Sequence, residues 1–344
     1  MTATLTPQEL QAARRHRTHG HVNVVTTLAV MTCSLWAASL MIGETFHTPD
    51  EVLRVILGET VPGASFSVGE LRLPRATLGL LAGLAYGAAG VSFQTLLRNQ
   101  LASPDIIGIS AGASAAGVFG IVLLGWSQPQ VSALALVAAL GTAVAIYLLS
   151  FRGGFAGTRL ILIGIGVSSM LGSVVSWVLS KANQWDLGTA SRWLTGSLNG
   201  ATWEQVAPLA LVCVLVLPVM WTGSSQLATL RFGDETATAL GVRVGALRIG
   251  TIVAAVALVA VATASCGPIA FVAFMAGPIA MRLSPSAPSL LLPASLVGAV
   301  IVLASDLAGQ YLLGARYPVG VITGALGAPF LIHLLVRSGG GRPR

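Results

Sequence analysis

Long apolar stretches alternate with short polar breaks along almost the whole chain. A helix needs about 20 mostly apolar residues to cross the hydrocarbon of a bilayer. Stretches near that length run over Val22–Gly43, Pro74–Leu97, Ile106–Leu124, Gln130–Phe151 and Arg159–Lys181. They continue over Trp203–Thr222, Leu247–Cys266, Ile269–Met281, Leu290–Leu307 and Val319–Val336. The pattern predicts an all-α polytopic membrane protein of about ten transmembrane helices. Ile269–Met281 is short and reads as a tilted or partial span. Gly267-Pro268 separates it from its predecessor, and both residues favour a break. The chain thus divides into a basic tail (1–21), a transmembrane domain (22–336) and a second tail (337–344).

Three polar breaks are long enough to carry structure. Glu44–Leu73 contains a short amphipathic helix near Asp50–Leu57. Ala182–Thr202 reads as a loop whose Trp185 and Trp193, with Trp203 just beyond, suit an interfacial aromatic belt. Gly223–Ala246 is polar, with a helix-like middle from Gly233 to Gly241. Within the spans, Gly79, Gly83, Gly87 and Gly90 form a small-residue face of the kind that lets helices approach closely in lipid.

Composition agrees with a lipid environment. Of 344 residues, 54% are hydrophobic and 9% charged. A soluble domain carries about 25% charged residues. The net charge of +7 does not indicate nucleic acid. Lys181 is the single lysine, and the arginines stand one by one at the ends of apolar runs rather than on one face. Arg14, Arg15 and Arg17 precede the first apolar stretch, which is longer than a signal-peptide core of about 7–15 residues. It reads as a retained first span.

Those arginines also predict topology. With ten spans and a cytoplasmic N-terminus, thirteen of the 19 basic residues fall on the cytoplasmic side, Arg98, Arg152, Arg231, Arg243, Arg248 and Arg282 among them. Arg54, Arg72, Arg75, Lys181, Arg192 and Arg316 fall outside. That bias has the sense the positive-inside rule requires, with both termini in the cytoplasm.

Two chemistry-bearing motifs of self-contained catalysis are missing. No GxxxxGK[ST] phosphate loop and no HExxH occurs. Cys33, Cys213 and Cys266 lie in apolar runs without CxxC spacing and read as small hydrophobes. His16, His19 and His21 form either a metal-binding or a solvated basic tail. Acidic residues inside the spans are nearly absent, Asp306 lying close to the end of one. A proton- or sodium-coupled carrier ordinarily shows several. Energy for uphill transport would therefore come from another subunit.

Two polar features stand out. Asp234 and Glu235 open the Gly233–Gly241 segment, where a helix dipole favours negative charge. The segment is either a capped connector or a helix that docks on a soluble partner. In Leu71-Arg72-Leu73-Pro74-Arg75 two arginines flank a proline at a span boundary. They are either snorkelling anchors or a basic lip for a partner's carboxylates.

The stretch from Leu71 to Arg75, then Gln94, then Arg98-Asn99-Gln100-Leu101-Ala102-Ser103-Pro104-Asp105-Ile106-Ile107-Gly108 and Ser110-Ala111-Gly112-Ala113 resembles the opening signature of the FecCD permeases. Similar motifs follow in order: Arg159–Gly164, Trp193–Ser197, Gly233–Val242, Gly267–Val272 and Tyr317–Pro329. The FecCD permeases are the membrane subunits of type II ABC importers for siderophores, haem and cobalamin.

The resemblance implies ten helices per subunit, a second permease subunit, two ATP-binding cassette ATPases and an outer substrate-binding protein. It makes Gly233, Asp234, Glu235, Thr236, Ala237, Leu240 and Gly241 the coupling helix that rests on the ATPase. It makes Arg72 and Arg75, with Arg316, the docking contacts for the binding protein, and places Gly157 and Thr158 at the cytoplasmic gate. No catalytic or metal-ligating residue is implied in this chain, and ATP with Mg would be bound by the partner. The location implied is the bacterial inner membrane.

One departure marks this chain. Gly277-Pro278 stands where the family usually has Pro-Gln or Pro-His, and the polar side chain is lost. The run Ile279-Ala280-Met281-Arg282 resembles the ferric-siderophore branch, in which two different permease chains pair. Haem and cobalamin stay open as substrates. An ATP-independent secondary transporter is the rival reading.

Overall fold

The computed structural model describes residues 7–105, 108–150, 157–285 and 287–339. Ile106, Ile107, Arg152, Arg342 and Arg344 lie outside them, as do the side chains of Arg14, Arg15, His16 and Arg17.

The described chain is helical. Helix α1 (Pro7–Met41) carries the first span and is continuous with the preceding basic segment. Helix α2 (Pro49–Ile56) is the expected amphipathic helix. Thr48 and Glu51 close a capping box at its start: the Thr48 N–H donates to Glu51 Oε2 at 3.0 Å and the Glu51 N–H to Thr48 Oγ1 at 3.4 Å. Val52 turns the helix onto a small core of Leu40, Val61, Ala64, Val68 and Ala76.

A wide helical segment, Ser65–Arg72, leads into α3 (Leu73–Leu96). The Leu73 N–H reaches back five residues to Val68 O. Pro74, which lacks an N–H donor, occupies the start of the regular helix. Helices α4 (Ile109–Val122), α5 (Gln128–Ser150) and α6 (Gly157–Leu179) follow. Helix α7 (Gln184–Thr195) is capped by Asn183 Oδ1, which accepts from the Asp186 N–H at 2.9 Å. Helix α8 (Trp203–Thr222) is the fifth long span. Short α9 (Ser224–Thr229), a 3₁₀ turn (Leu230–Phe232) and α10 (Asp234–Ala239) fill the polar break after it. Helices α11 (Val244–Cys266), α12 (Val272–Leu283), α13 (Leu291–Tyr311) and α14 (Val319–Gly339) complete the chain.

Eight helices of the described residues are long and apolar enough to cross a membrane, and α4 and α12 are shorter apolar helices. Together they occupy the ten places the hydropathy pattern marked. Helix α12 is the short span expected after the Gly267-Pro268 break, where Gly267 has φ +74 and Phe271 φ +65.

Helix α3 is the axis of the bundle. It packs against α13, α11, α12 and α8, and α1 covers part of its length. Its small face is what admits such close neighbours. A Cβ on Gly87 would lie 2.2 Å from Ala294 O, and one on Gly90 would lie 1.9 Å from Ala273 O. Tyr86 is fully buried on the same helix and bonds Thr263 Oγ1 at 3.0 Å and Gly267 O at 3.2 Å, which ties α3 to the end of α11. Helices α4, α5 and α6 form a second group joined through α11. The outward faces are apolar: Val137 on α5 and Val214 on α8 are both 69% exposed. Surface of this kind suits lipid rather than water.

Side-chain contacts divide the loops between two ends of the bundle. One end gathers Glu44, Arg72, Arg75, Asn199, Asp306 and Arg316. The other gathers His21, Arg98, Leu230, Asp234, Arg248 and Ser284. Successive spans therefore alternate in direction. The start of the first span and the end of the last lie at the second end, where Leu334 packs on Phe274 and Met275.

Candidate functional site

At the second end, the chain between α8 and α11 folds into a compact step. Gly233 reverses the backbone with φ +111, a conformation that suits glycine, and Asp234 then opens α10. The helix stops in a Schellman arrangement: the Gly241 N–H donates to Thr238 O at 2.9 Å and the Val242 N–H to Ala237 O at 3.0 Å, with Gly241 at φ +84. Ala237 is fully buried and seats the helix on Leu96, Leu227 and Leu230. Glu235, Thr236, Ala239 and Leu240 stay exposed, with Phe232 beside them at 74% exposure. Exposed acidic and hydroxyl groups thus lie on the outer side of a short helix seated by one alanine, with an exposed apolar ring just before it.

Asp234, its side chain 46% exposed, is held within the chain. Its carboxylate accepts from Arg98 Nη2 and from Arg248 Nη2, the latter at 2.9 Å. Arg98 also donates from Nε to Leu230 O at 2.9 Å. Gly157 opens α6 against the same region, and a Cβ on it would lie 2.8 Å from Leu97 Cδ2. Thr158 beside it is exposed. The expected gate pair and the expected coupling segment thus meet at the end of α3.

The position of Gly277-Pro278 has a local explanation. A Cβ on Gly277 would lie 1.8 Å from Gln94 Oε1. Gln94 Nε2 donates to Phe274 O at 3.1 Å. An amide from α3 occupies the space beside α12 that a larger residue at 277 would need.

At the first end, Arg72, Arg75 and Arg316 line one cavity of about 530 Å³ with Glu44, Asn199 and Gln310. They are used differently. Arg72 Nη1 donates to the carbonyls of Leu40 and Met41, both at 3.0 Å, and Nη2 to Thr45 O at 2.7 Å. It fastens the end of α1, where helix carbonyls lack intrahelical partners. Arg75 pairs with Asp306, Nη2 to Oδ1 at 2.7 Å and Nε to Oδ2 at 2.9 Å, and Nη1 donates to Asn199 Oδ1. Gln310 adds a donor to Asp306 Oδ2 at 2.9 Å. Arg316 pairs with Glu44, and both are largely exposed, at 64% and 82%. Two of the three expected docking arginines are therefore committed within the chain, and Arg316 is the accessible one.

Asp306, Arg98 and Arg248 are the polar partners that local sequence reading did not place in a site. A carboxylate within a span was a signal in itself. Its partner lies 231 residues away. No group of three or more His, Cys, Asp or Glu able to hold a metal occurs among the described residues.

Ten apolar helices with ordered polar contacts at both ends define a polytopic membrane protein. Residues 30–337 match the model of the FecCD transport family. The chain belongs to that family. It is similar to the ferric enterobactin transport system permease protein FepG of Escherichia coli (strain K12), 38% identical over 310 residues, which cover 90% of this chain and 93% of FepG. It is also similar to the achromobactin transport system permease protein CbrC of Dickeya dadantii (strain 3937), 36% identical over 320 residues, covering 92% of each. Among solved structures it is similar to one described as a metal-chelate type ABC transporter in an inward-facing conformation, with a TM-score of 0.81, 26% identity, and coverage of 92% of this chain and 99% of that one. The permease family and ten-helix architecture expected from the motifs are those found.

Proposed function

We propose that this chain is the membrane-spanning permease of an ATP-driven importer for ferric-siderophore chelates in the bacterial inner membrane, with both termini in the cytoplasm. Similarity to FepG and CbrC over nine-tenths of the chain carries the substrate class. The chain has no phosphate loop, so ATP and Mg belong to two partner ATPases, one of which rests on the exposed face of α10. A second, non-identical permease of the same family completes the path. The outer binding protein meets the end that carries Arg72, Arg75 and Arg316. Its carboxylates reach Arg316 first, by exchange with the exposed Glu44, while Arg72 and Arg75 hold the rim in shape.

Transport then follows from alternating access. Closure of the ATPases displaces α10, and the end of α3 and the Gly157–Thr158 start of α6 move with it. The chelate crosses between the two permeases through many weak contacts, because tight binding would block release. No residue of this chain ligates iron, which its chelator already holds.

The substrate is tested by competition. Proteoliposomes holding this chain, its partner permease and the ATPase take up radiolabelled ferric enterobactin, with excess ferric hydroxamate, haem or cobalamin added. The reading expects some competition from ferric hydroxamate, a siderophore chelate, and little from haem or cobalamin. Uptake of cobalamin or haem in place of the ferric chelate would reassign the substrate. A homodimer of this chain that supports full uptake without a second permease would overturn the heterodimer.

A further inference from the structure

Asp234 is held by two arginines that belong to two different spans. Arg98 lies just past the Leu97 cap of α3, and Arg248 lies near the start of α11. Arg98 Nη2 takes Oδ1 and Arg248 Nη2 takes Oδ2 at 2.9 Å, so both carboxylate oxygens are occupied inside the chain. Arg98 grips a second point as well, the Leu230 carbonyl just before α10. Its backbone has φ +48, a left-handed conformation that residues other than glycine seldom adopt. Such a conformation persists where the surroundings fix it, and here two contacts of one side chain do so.

From this we infer that Asp234 is the fastening through which displacement of α10 reaches two spans at once, with Arg98 delivering it to α3 and Arg248 to α11. The inference rests on the coupling reading of α10 and divides that short helix into two faces. Asp234 works inward. Glu235, Thr236, Leu240 and Phe232 work outward on the partner. The two spans are joined again further along, where Tyr86 bonds Thr263 Oγ1 and Gly267 O. Helix α3 has 24 residues and is about 36 Å long. Its far end carries the Arg75–Asp306 pair. An arginine–aspartate tie therefore stands at each end of the most buried span, and a rigid helix connects them. A rigid element with fixed attachments at both ends is a physical means of passing a displacement between distant sites.

Arg98 and Arg248 are positioning residues on this account, and the readout must separate motion from folding. The full complex is reconstituted with its ATPase, partner permease and binding protein, and radiolabelled ferric enterobactin is the probe. ATP hydrolysed per chelate imported is measured together with the ATPase retained on purification. Arg98→Gln, Arg248→Gln and Asp234→Asn are expected to keep the ATPase bound and active, while the ATP used per chelate rises by about tenfold. The Arg98→Gln/Arg248→Gln pair is expected to be no worse than Asp234→Asn, and Asp234→Glu to recover most of the loss. Glu235→Lys, by contrast, is expected to release the ATPase. An unchanged ratio in Asp234→Asn would overturn the inference. So would loss of the ATPase from the arginine variants, which would assign them to shaping α10 alone. A wild-type complex that imports no chelate would overturn the importer reading and the inference with it. Normal import with an unchanged ratio would overturn the inference only.

Discussion

Arg75 on α3 and Asp306 on α13 meet through two parallel hydrogen bonds of 2.9 and 2.7 Å. The carboxylate side chain is 4% exposed and the guanidinium 16%. Removing one partner of such a pair leaves a buried charge uncompensated, at a cost of about 3–5 kcal/mol. Asp306→Ala should therefore lower thermal stability in detergent sharply. The double variant Arg75→Met/Asp306→Leu should recover much of it, since neither charge then remains. A double variant as unstable as the single one would assign the loss to packing rather than charge.

Arg72 acts as a fork on three carbonyls, a geometry that lysine cannot reproduce with a point charge. Arg72→Lys should destabilise the junction between α1 and α2. Gly43→Ala should do the same, because a Cβ there would lie 2.2 Å from Arg72 Nη2. Limited proteolysis within residues 42–49 reads both. Wild-type resistance in Arg72→Lys would show that charge alone suffices.

The tight axis of the bundle makes a paired prediction. Gly90→Ala would push a methyl group into the Ala273 carbonyl and should cost several kcal/mol, more than the roughly 1–3 kcal/mol of ordinary overpacking. Gly141→Ala on α5 meets nothing within 4 Å and should be neutral or slightly stabilising, by up to about 1 kcal/mol. Thermal unfolding followed by tryptophan fluorescence separates them. Equal behaviour would contradict the close α3–α12 contact.

Much of this was legible in the sequence, because each span is an apolar run and each break contains glycine, proline or charge. The amphipathic α2 and the capped α10 were legible for local reasons: apolar periodicity near Asp50–Leu57 marks the one, and Gly233 and Gly241 bound the other. Helix α7 was not. Its sequence is polar and reads as a loop, and it is fixed by Asn183 at its start and by Ala190 and Trp193, which are buried. The indole of Trp193 lies against Gly117 of α4, a contact no local pattern announces. The roles of Arg75 and Arg98 were hidden for a related reason. Each was visible as a boundary arginine, but their carboxylate partners lie 231 and 136 residues away. A single sequence gives the charge and not the pairing.

The α2 capping box carries a pH dependence. Chiefly the Thr48 backbone N–H, then the His47 side chain, hold the Glu51 carboxyl below the ordinary glutamate value of 4.5. A carboxylate depressed in the folded state adds stability that is present above its unfolded pKa and lost as pH falls through the folded one. Wild type should therefore exceed Glu51→Gln in stability near pH 7, and the difference should vanish once pH falls well below 4.5. Thermal scans of the two proteins across that range provide the check. A difference that persists in acid would remove the ionised carboxylate from the account.

The central claim is that this chain is a passage moved by a partner's ATPase. Its most direct test is uptake of radiolabelled ferric enterobactin into proteoliposomes, with the binding protein outside and the ATPase present or absent. The account predicts uptake only when the ATPase and ATP are both present, and loss of uptake together with release of the ATPase when Asp234→Lys and Glu235→Lys are introduced. Uptake by this chain alone, without ATP, would contradict the account and make the chain a secondary transporter.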